Sequence, residues 1–170
     1  KLPPLLRLPV ELHKDILDIL KLAPTATQSI LCLRLVNRYF YTLVPAPSHA
    51  MLLTAEREVW ACRLCLYACR YCLRLRKGGN FADAMLKGRT GLNGKEPAKR
   101  FCVDCGLHPR PGETRYSPGA EIVVKGERRV WCKICSQVKK GADAIGCTGV
   151  CGACHGRNGC RCQGEGRLQG

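Results

Sequence analysis

Four Cys-x-x-Cys pairs constrain this chain more than any other feature: Cys69-Arg-Tyr-Cys72, Cys102-Val-Asp-Cys105, Cys132-Lys-Ile-Cys135 and Cys151-Gly-Ala-Cys154. Two such knuckles within one short domain supply four thiolates, and four thiolates at tetrahedral reach are what a structural zinc ion needs. A single pair would carry little weight, because redox motifs and chance both produce it. Two successive sets at comparable spacing point to two zinc sites. Fourteen cysteines in 170 residues is about 8 %, close to the density at which a chain depends on crosslinks or metals rather than on a core.

The cysteines are unevenly placed: Cys32 stands alone and the rest fall between 62 and 162. The opening Lys1-Leu-Pro-Pro-Leu-Leu-Arg-Leu-Pro9 is broken by prolines and has no small-residue cleavage site, so it does not read as a secretory leader. No apolar run approaches the roughly 18 residues of a membrane span. The expectation is therefore a reducing compartment, cytoplasmic or nuclear, where clustered cysteines usually mean metal, and no membrane. The net charge of +15 is concentrated in residues 61–140, which hold 18 basic and 6 acidic side chains. Two zinc ions on eight thiolates would lower the total to about +11. The cysteine region thus stays basic when metallated and suits phosphate or an acidic protein surface.

Ahead of the cysteines, Leu8-Pro9-Val10-Glu11-Leu12 opens a helix with proline near its first position. Leu12, Ile16, Ile19 and Leu20 then recur on one helical face. Ala23-Pro24 stops it, and Thr25 or Thr27 can cap the next helix. From Ile30 to Val44 the apolar residues suit two short helices in a small bundle, ending at Pro45-Ala46-Pro47. Such a bundle is marginal alone, and an apolar face left over usually meets a partner.

The pattern Leu-Pro-Val-Glu-Leu-x-x-x-Ile-Leu-x-x-Leu over 8–20, followed by Leu-Arg-Leu-Val-Asn-Arg-x-Phe-Tyr-x-Leu over 33–43, resembles an F-box. The match spans about residues 6–44. It implies a three-helix motif that docks on the Skp-type adaptor of an SCF-type cullin-RING ubiquitin ligase. By that resemblance Leu8, Pro9, Glu11, Leu12, Ile16, Leu17, Leu20 and Leu35 contact the adaptor. The bland alternative is a leucine-rich bundle whose apolar residues only pack on one another.

Ser48 can cap a bridging helix over 45–61, carrying Met51, Leu52, Leu53, Val59 and Trp60. If it ran on, Cys62, Cys65, Cys69 and Cys72 would form one helical stripe of core thiols. Cys72 precedes Leu-Arg-Leu-Arg-Lys-Gly-Gly, where a helix must end, so Cys69 and Cys72 are assigned to metal, with Cys62 and Cys65 left open. The connector 74–101 is rich in Arg, Lys and Gly, broken by a short amphipathic turn at Phe81-Ala-Asp-Ala-Met85-Leu86. The words Cys-Leu-Arg-Leu-Arg-x-x-x-x-Phe-Ala-Asp-x-Met and Lys-Arg-Phe-Cys-Val-Asp-Cys-Gly resemble the cysteine-rich region of F-box proteins common in filamentous fungi. That match implies one zinc site on Cys69, Cys72, Cys102 and Cys105; the extra Cys62/Cys65 pair departs from it.

Residues 106–119 read as loop. Glu121-Ile-Val-Val124, Lys125-Gly126, Glu127-Arg-Arg-Val-Trp131 reads as a hairpin delivering Cys132 and Cys135. Their partners should be Cys151 and Cys154, with Cys147 or His155 as substitutes. Residues 156–170, including Cys160 and Cys162, look like a disordered Gly-rich tail.

Sharper readings are weaker. Cys151-Gly-Ala-Cys154-His155 matches c-type haem attachment, but this Gly-rich context has neither a haem-sized apolar pocket nor an axial ligand. For a catalytic cysteine the candidate bases are His13, His49, His108 and His155, yet no carboxylate is placed to orient one. No active site is expected. A disulfide framework has only cysteine density in its favour. Nucleic-acid binding is the serious rival, through Arg74, Arg76, Lys77, Lys87, Arg89, Lys95, Lys99 and Arg100. Against it stand 6 % aromatics, few for stacking single strands, and no finger-type helix. The expected architecture is a small α-helical F-box-like bundle at 6–44, a bridging helix, and a zinc-stabilised α+β domain at 62–155. A substrate or other partner would sit on the zinc domain, with the ubiquitin chemistry in partner subunits.

Overall fold

The computed structural model describes residues 3–23, 25–113, 115–141 and 149–157. Cys147, Cys160, Cys162 and the rest of the expected tail beyond Arg157 lie outside them.

The chain opens with a 3₁₀ turn at Pro4–Arg7 and three helices, α1 (Val10–Lys21), α2 (Ala26–Arg34) and α3 (Arg38–Leu43). Pro9 takes the extended N-cap position of α1 rather than its first helical turn, so its missing N–H costs no bond. Glu11 in the first turn and Lys21 in the last suit the helix dipole. Asn37 caps α3, its Oδ1 accepting from the Phe40 N–H at 2.9 Å. The bundle core is small: Leu17, Phe40 and Val44, flanked by Leu6, Ile30, Leu33 and Leu43. His13 is buried against it, with Nε2 donating to the Leu5 carbonyl (2.7 Å) and Nδ1 bound to the Tyr39 hydroxyl (2.6 Å). Both ring nitrogens are satisfied, which makes His13 a core residue rather than a free base.

The expected bridging helix is two pieces, α4 (His49–Ala55) and α5 (Val59–Arg63). Ser48 caps α4 as expected, accepting from the Met51 N–H at 3.1 Å. The break falls at Glu56–Glu58, where the N–H groups of Arg57 and Glu58 bond three residues back to Thr54 and Ala55, both at 3.1 Å, and Glu58 turns extended; Leu52, Ala55 and Glu56 are buried. There α4 packs on β1 (Leu66–Cys69), so the bridge belongs structurally to the cysteine domain. The helical stripe of thiols does not form. The backbone at Cys65 takes φ +50°, which ends helix and opens strand.

β1 pairs antiparallel with β2 (Arg74–Lys77), Leu66 opposite Lys77 and Cys69 opposite Arg74. The connector beyond it is built rather than loose. It holds α6 (Asp83–Leu86), the amphipathic turn read from sequence, and 3₁₀ turns at Gly78–Asn80, Gly88–Thr90 and Pro97–Lys99. Phe81 is fully buried. Then α7 (Val103–Leu107) carries the second knuckle, with Gly106 so close to the Tyr116 ring that a Cβ there would lie 2.4 Å from it.

The second sheet has the order β3 (Glu121–Val124), β4 (Glu127–Trp131) and β5 (Val138–Lys140), all antiparallel. The hairpin matches the sequence reading, including its two-residue turn. Lys125 and Gly126 both have positive φ, 53° and 78°, as a primed hairpin turn requires. β5 was not anticipated. Gly141 makes an isolated bridge to Cys151, after which α8 (Gly152–Arg157) begins, so the expected tail starts with helix. Among the described residues no helix is long and apolar enough to cross a membrane.

Candidate metal centres

The eight cysteines singled out from sequence come together as two groups, Cys69/Cys72/Cys102/Cys105 and Cys132/Cys135/Cys151/Cys154. Within each, all four Sγ atoms lie within 4.8 Å of one another. A tetrahedral tetrathiolate site with metal–sulfur bonds of about 2.3 Å has sulfur–sulfur edges of about 3.8 Å. The Cys135–Cys151 separation, 3.9 Å, is already at that value. No disulfide joins the described cysteines.

Both groups use one local device. Cys69 is the last residue of β1 and Cys132 directly follows β4, and the carbonyl of each accepts from the N–H four residues on: Leu73 to Cys69 at 3.1 Å, Ser136 to Cys132 at 2.9 Å. Leu73 and Ser136 take left-handed φ of 50° and 53°, which folds the knuckle so that two sulfurs converge. The other two ligands sit at the start of a short helix, α7 or α8. The first helix cysteine donates its N–H to the first knuckle sulfur: Cys102 to Cys69 at 3.3 Å, Cys151 to Cys132 at 3.4 Å. Its carbonyl then accepts from Gly106 (3.0 Å) or His155 (2.9 Å).

Four crowded sulfurs cannot each carry a full charge, and the protonation pattern shows it. Hydrogen bonds from the Cys102 and Cys72 thiols, with backbone N–H groups of the same residues, pull Cys69 far below the usual thiol range. The same contact with Cys69, then that with Cys72, pushes Cys102 far above it. Burial pushes Cys105 up to about 12. In the second group burial would raise Cys132, but N–H groups of Cys135, Cys151 and Ile134 outweigh it and hold it at about 6. The hydrogen bond to Cys151, ahead of burial, raises Cys154 to about 12. A dication replacing the shared protons would relieve this competition.

The surroundings of the first group include residues the sequence reading passed over. Glu56 and Arg100, both fully buried, form an ion pair at 2.5 Å. The same Glu56 oxygen accepts from the Ala68 N–H at 2.6 Å, one residue before Cys69. Arg100 also donates to the Thr90 carbonyl (2.8 Å), and its guanidinium lies 5.3 Å from the Tyr67 ring centroid. The signal for Glu56 was helical spacing: it stands four residues after Leu52, on the buried face of α4. Arg76 would be lowered by burial, but its hydrogen bond to the Cys72 sulfur and the charges of Cys102, Cys72 and Asp104 raise it instead.

Arg100, counted from sequence in the basic run that would meet nucleic acid, is buried instead. Arg89 and Lys99 share Glu96 at 2.9 and 2.8 Å, and Arg76 faces Asp104 at 3.5 Å. Arg74, Lys77, Lys87 and Lys95 stay exposed. Cys62 and Cys65 are exposed free thiols outside both groups, Cys62 donating to the Glu56 carbonyl at 3.4 Å. His155 belongs to neither four-sulfur group.

In the helical bundle Leu8, Pro9, Glu11, Leu12 and Leu35 are exposed, Ile16 and Leu20 half-buried, and Leu17 buried in the bundle's own core. No family model, curated protein or solved structure matches this chain.

Proposed function

We propose that this chain is the substrate-recognition subunit of an SCF-type cullin-RING ubiquitin ligase, acting in the cytoplasm or nucleus. α1–α3 bind a Skp-type adaptor, and the cysteine domain holds two structural zinc ions and presents a protein substrate or other partner. Sulfur-only ligand sets of this size favour zinc over harder cations, and the role is structural because all four positions of each site are filled by protein. Ubiquitin transfer itself belongs to partner subunits. The observation that carries the reading is the outer face of the bundle. Leu12, Ile19, Leu35 and Val36 are 45–70 % exposed within the very stretches that resemble an F-box, and a face of that kind is suited to a partner.

The test is co-expression with a Skp-type adaptor followed by size-exclusion chromatography of wild type and Leu12→Asp/Ile16→Asp. Co-elution lost in the double variant, with zinc content unchanged, is the expected result. Wild-type protein that is folded and carries two zinc ions but elutes alone would end the ligase reading.

A second reading, nucleic-acid binding, has one observation in its favour. Three guanidiniums, of Arg70, Arg110 and Arg115, lie 5.1–5.9 Å from the Tyr71 ring centroid. Binding to RNA or DNA that weakens steeply with salt and with Arg110→Ala/Arg115→Ala would favour it.

A further inference from the structure

A cleft of about 360 Å³ opens where the helical bundle meets the cysteine domain. That is the size range of sites for small organic ligands. Its apolar lining comes from Leu31 on α2, Leu52 on α4, Trp60 on α5, Leu66 on β1 and Leu73 of the first knuckle. Arg34, Tyr41 and Arg74 also line it. The Arg34 guanidinium lies over the Tyr41 ring, 4.1 Å from its centroid, and donates to the Val44 carbonyl; Arg74 and Arg34 together lower the Tyr41 pKa. Among the described residues no carboxylate lines the cleft, and neither arginine makes an ion pair. The cationic lining of the cleft is two arginines without acid partners, and the first four-cysteine group reaches the cleft through Cys72; an apolar body carrying one anionic head is complementary to the arginine side.

We propose that this cleft binds a small monocarboxylic acid of about a dozen heavy atoms, with its apolar part against Leu31, Leu52 and Trp60 and its carboxylate between Arg34 and Arg74. Guanidiniums suit this head because a carboxylate accepts their paired N–H donors. The knuckle residues Cys72 and Leu73 form part of the lining, so the cleft keeps its shape only while the first four-cysteine group is intact. Adaptor binding and occupancy of this cleft are separate properties that share only Leu35, and either can fail without the other.

Cys32 lines the cleft and is an exposed free thiol, so its alkylation reports occupancy. The zinc-loaded full chain is treated with iodoacetamide in the presence of decanoate, decanol or decyltrimethylammonium, and labelling is mapped by mass spectrometry. Decanoate is expected to slow labelling of Cys32 severalfold while Cys62 and Cys65 react at unchanged rates. Decyltrimethylammonium should give no protection. Arg74→Glu, on an exposed strand position, should weaken decanoate binding about tenfold, as expected for a lost charge-assisted contact. Leu31→Trp, which fills the cleft, should abolish it with zinc content unchanged; if that variant does not fold, Arg74→Glu carries the test. Equal protection by the cationic amphiphile, or unchanged decanoate affinity in Arg74→Glu, overturns the proposal. Protection by an acidic apolar peptide but not by decanoate overturns it in favour of a peptide site.

Discussion

The two four-cysteine groups share a backbone plan and differ in what surrounds it. The first is wrapped by Phe81, Phe101, Tyr67, Tyr71, Met85, Leu86 and Tyr116, and tied to α4 through Glu56 and Arg100. The second has only Val130 and Val150 as apolar neighbours beyond its own cysteines among the described residues. Identical knuckle geometry therefore serves two energetic roles. The first group is the centre of a core that happens to contain sulfur. The second is a clasp between a three-stranded sheet and α8, with little else to hold it closed. Neither apolar cluster is large enough to stand without a crosslink, the regime in which metal binding and folding are one equilibrium.

The largest effect should come from losing a ligand, since a structural zinc site is worth on the order of 10 kcal/mol. Cys102→Ser should unfold the cysteine domain back to α4, while Cys132→Ser should release only β3–β5 and α8. Amide spectra of the two variants separate these outcomes, and identical collapse in both would erase the distinction between core and clasp. Next comes the buried ion pair. Removing one partner, as in Arg100→Met, leaves a buried charge unmatched and should cost about 3–5 kcal/mol. The joint replacement Glu56→Leu/Arg100→Met should recover most of that in denaturant unfolding.

A smaller effect is expected at Arg76, whose guanidinium contacts the Cys72 sulfur. Groups behind a ligand typically tune metal affinity by about tenfold to a hundredfold. Arg76→Gln should weaken the first site by that much in a chelator competition and leave the second unchanged. Equal loss from both sites would mean that they are coupled. The smallest effect belongs to Asp83, which ties the two halves of the cysteine domain beside the apolar cluster of Ala82, Ile122 and Val124. Its carboxylate accepts from the Lys125 and Gly126 N–H groups, both at 2.8 Å, and these bonds, Gly126 first, hold its pKa below the usual value. A depressed carboxylate contributes stability above its unfolded pKa and loses it only as pH falls below that value. Amide protection at Lys125 and Gly126 should thus be flat from about pH 5 to 8 in wild type and lower throughout in Asp83→Ala.

Much of the fold was legible in local spacing because its signals are local. The Cys-x-x-Cys pairs, the hairpin at 121–131 with its Lys125-Gly126 turn, the start of α1 and the Ser48 cap each depend on residues a few positions apart, whereas the α1 face read from sequence is not the buried one, which carries His13 and Leu17. The stripe of Cys62, Cys65, Cys69 and Cys72 misled for the same reason. Helical spacing is necessary for a helix but not sufficient, and the pairing of Leu66–Cys69 with Arg74–Lys77 decided those residues otherwise.

By itself the sequence determined which atoms can hold a metal and where the chain must turn, since ligand chemistry and turn stereochemistry are set by residue type over short range. Only the tertiary structure decided that Arg100 leaves the basic surface to meet Glu56, 44 positions away. It also decided that the bridging helix breaks to join the cysteine domain, and that Arg34 and Arg74 share one cleft. Such choices turn on burial, where a charge is tolerated only with a partner, and no local pattern records which distant partner arrives.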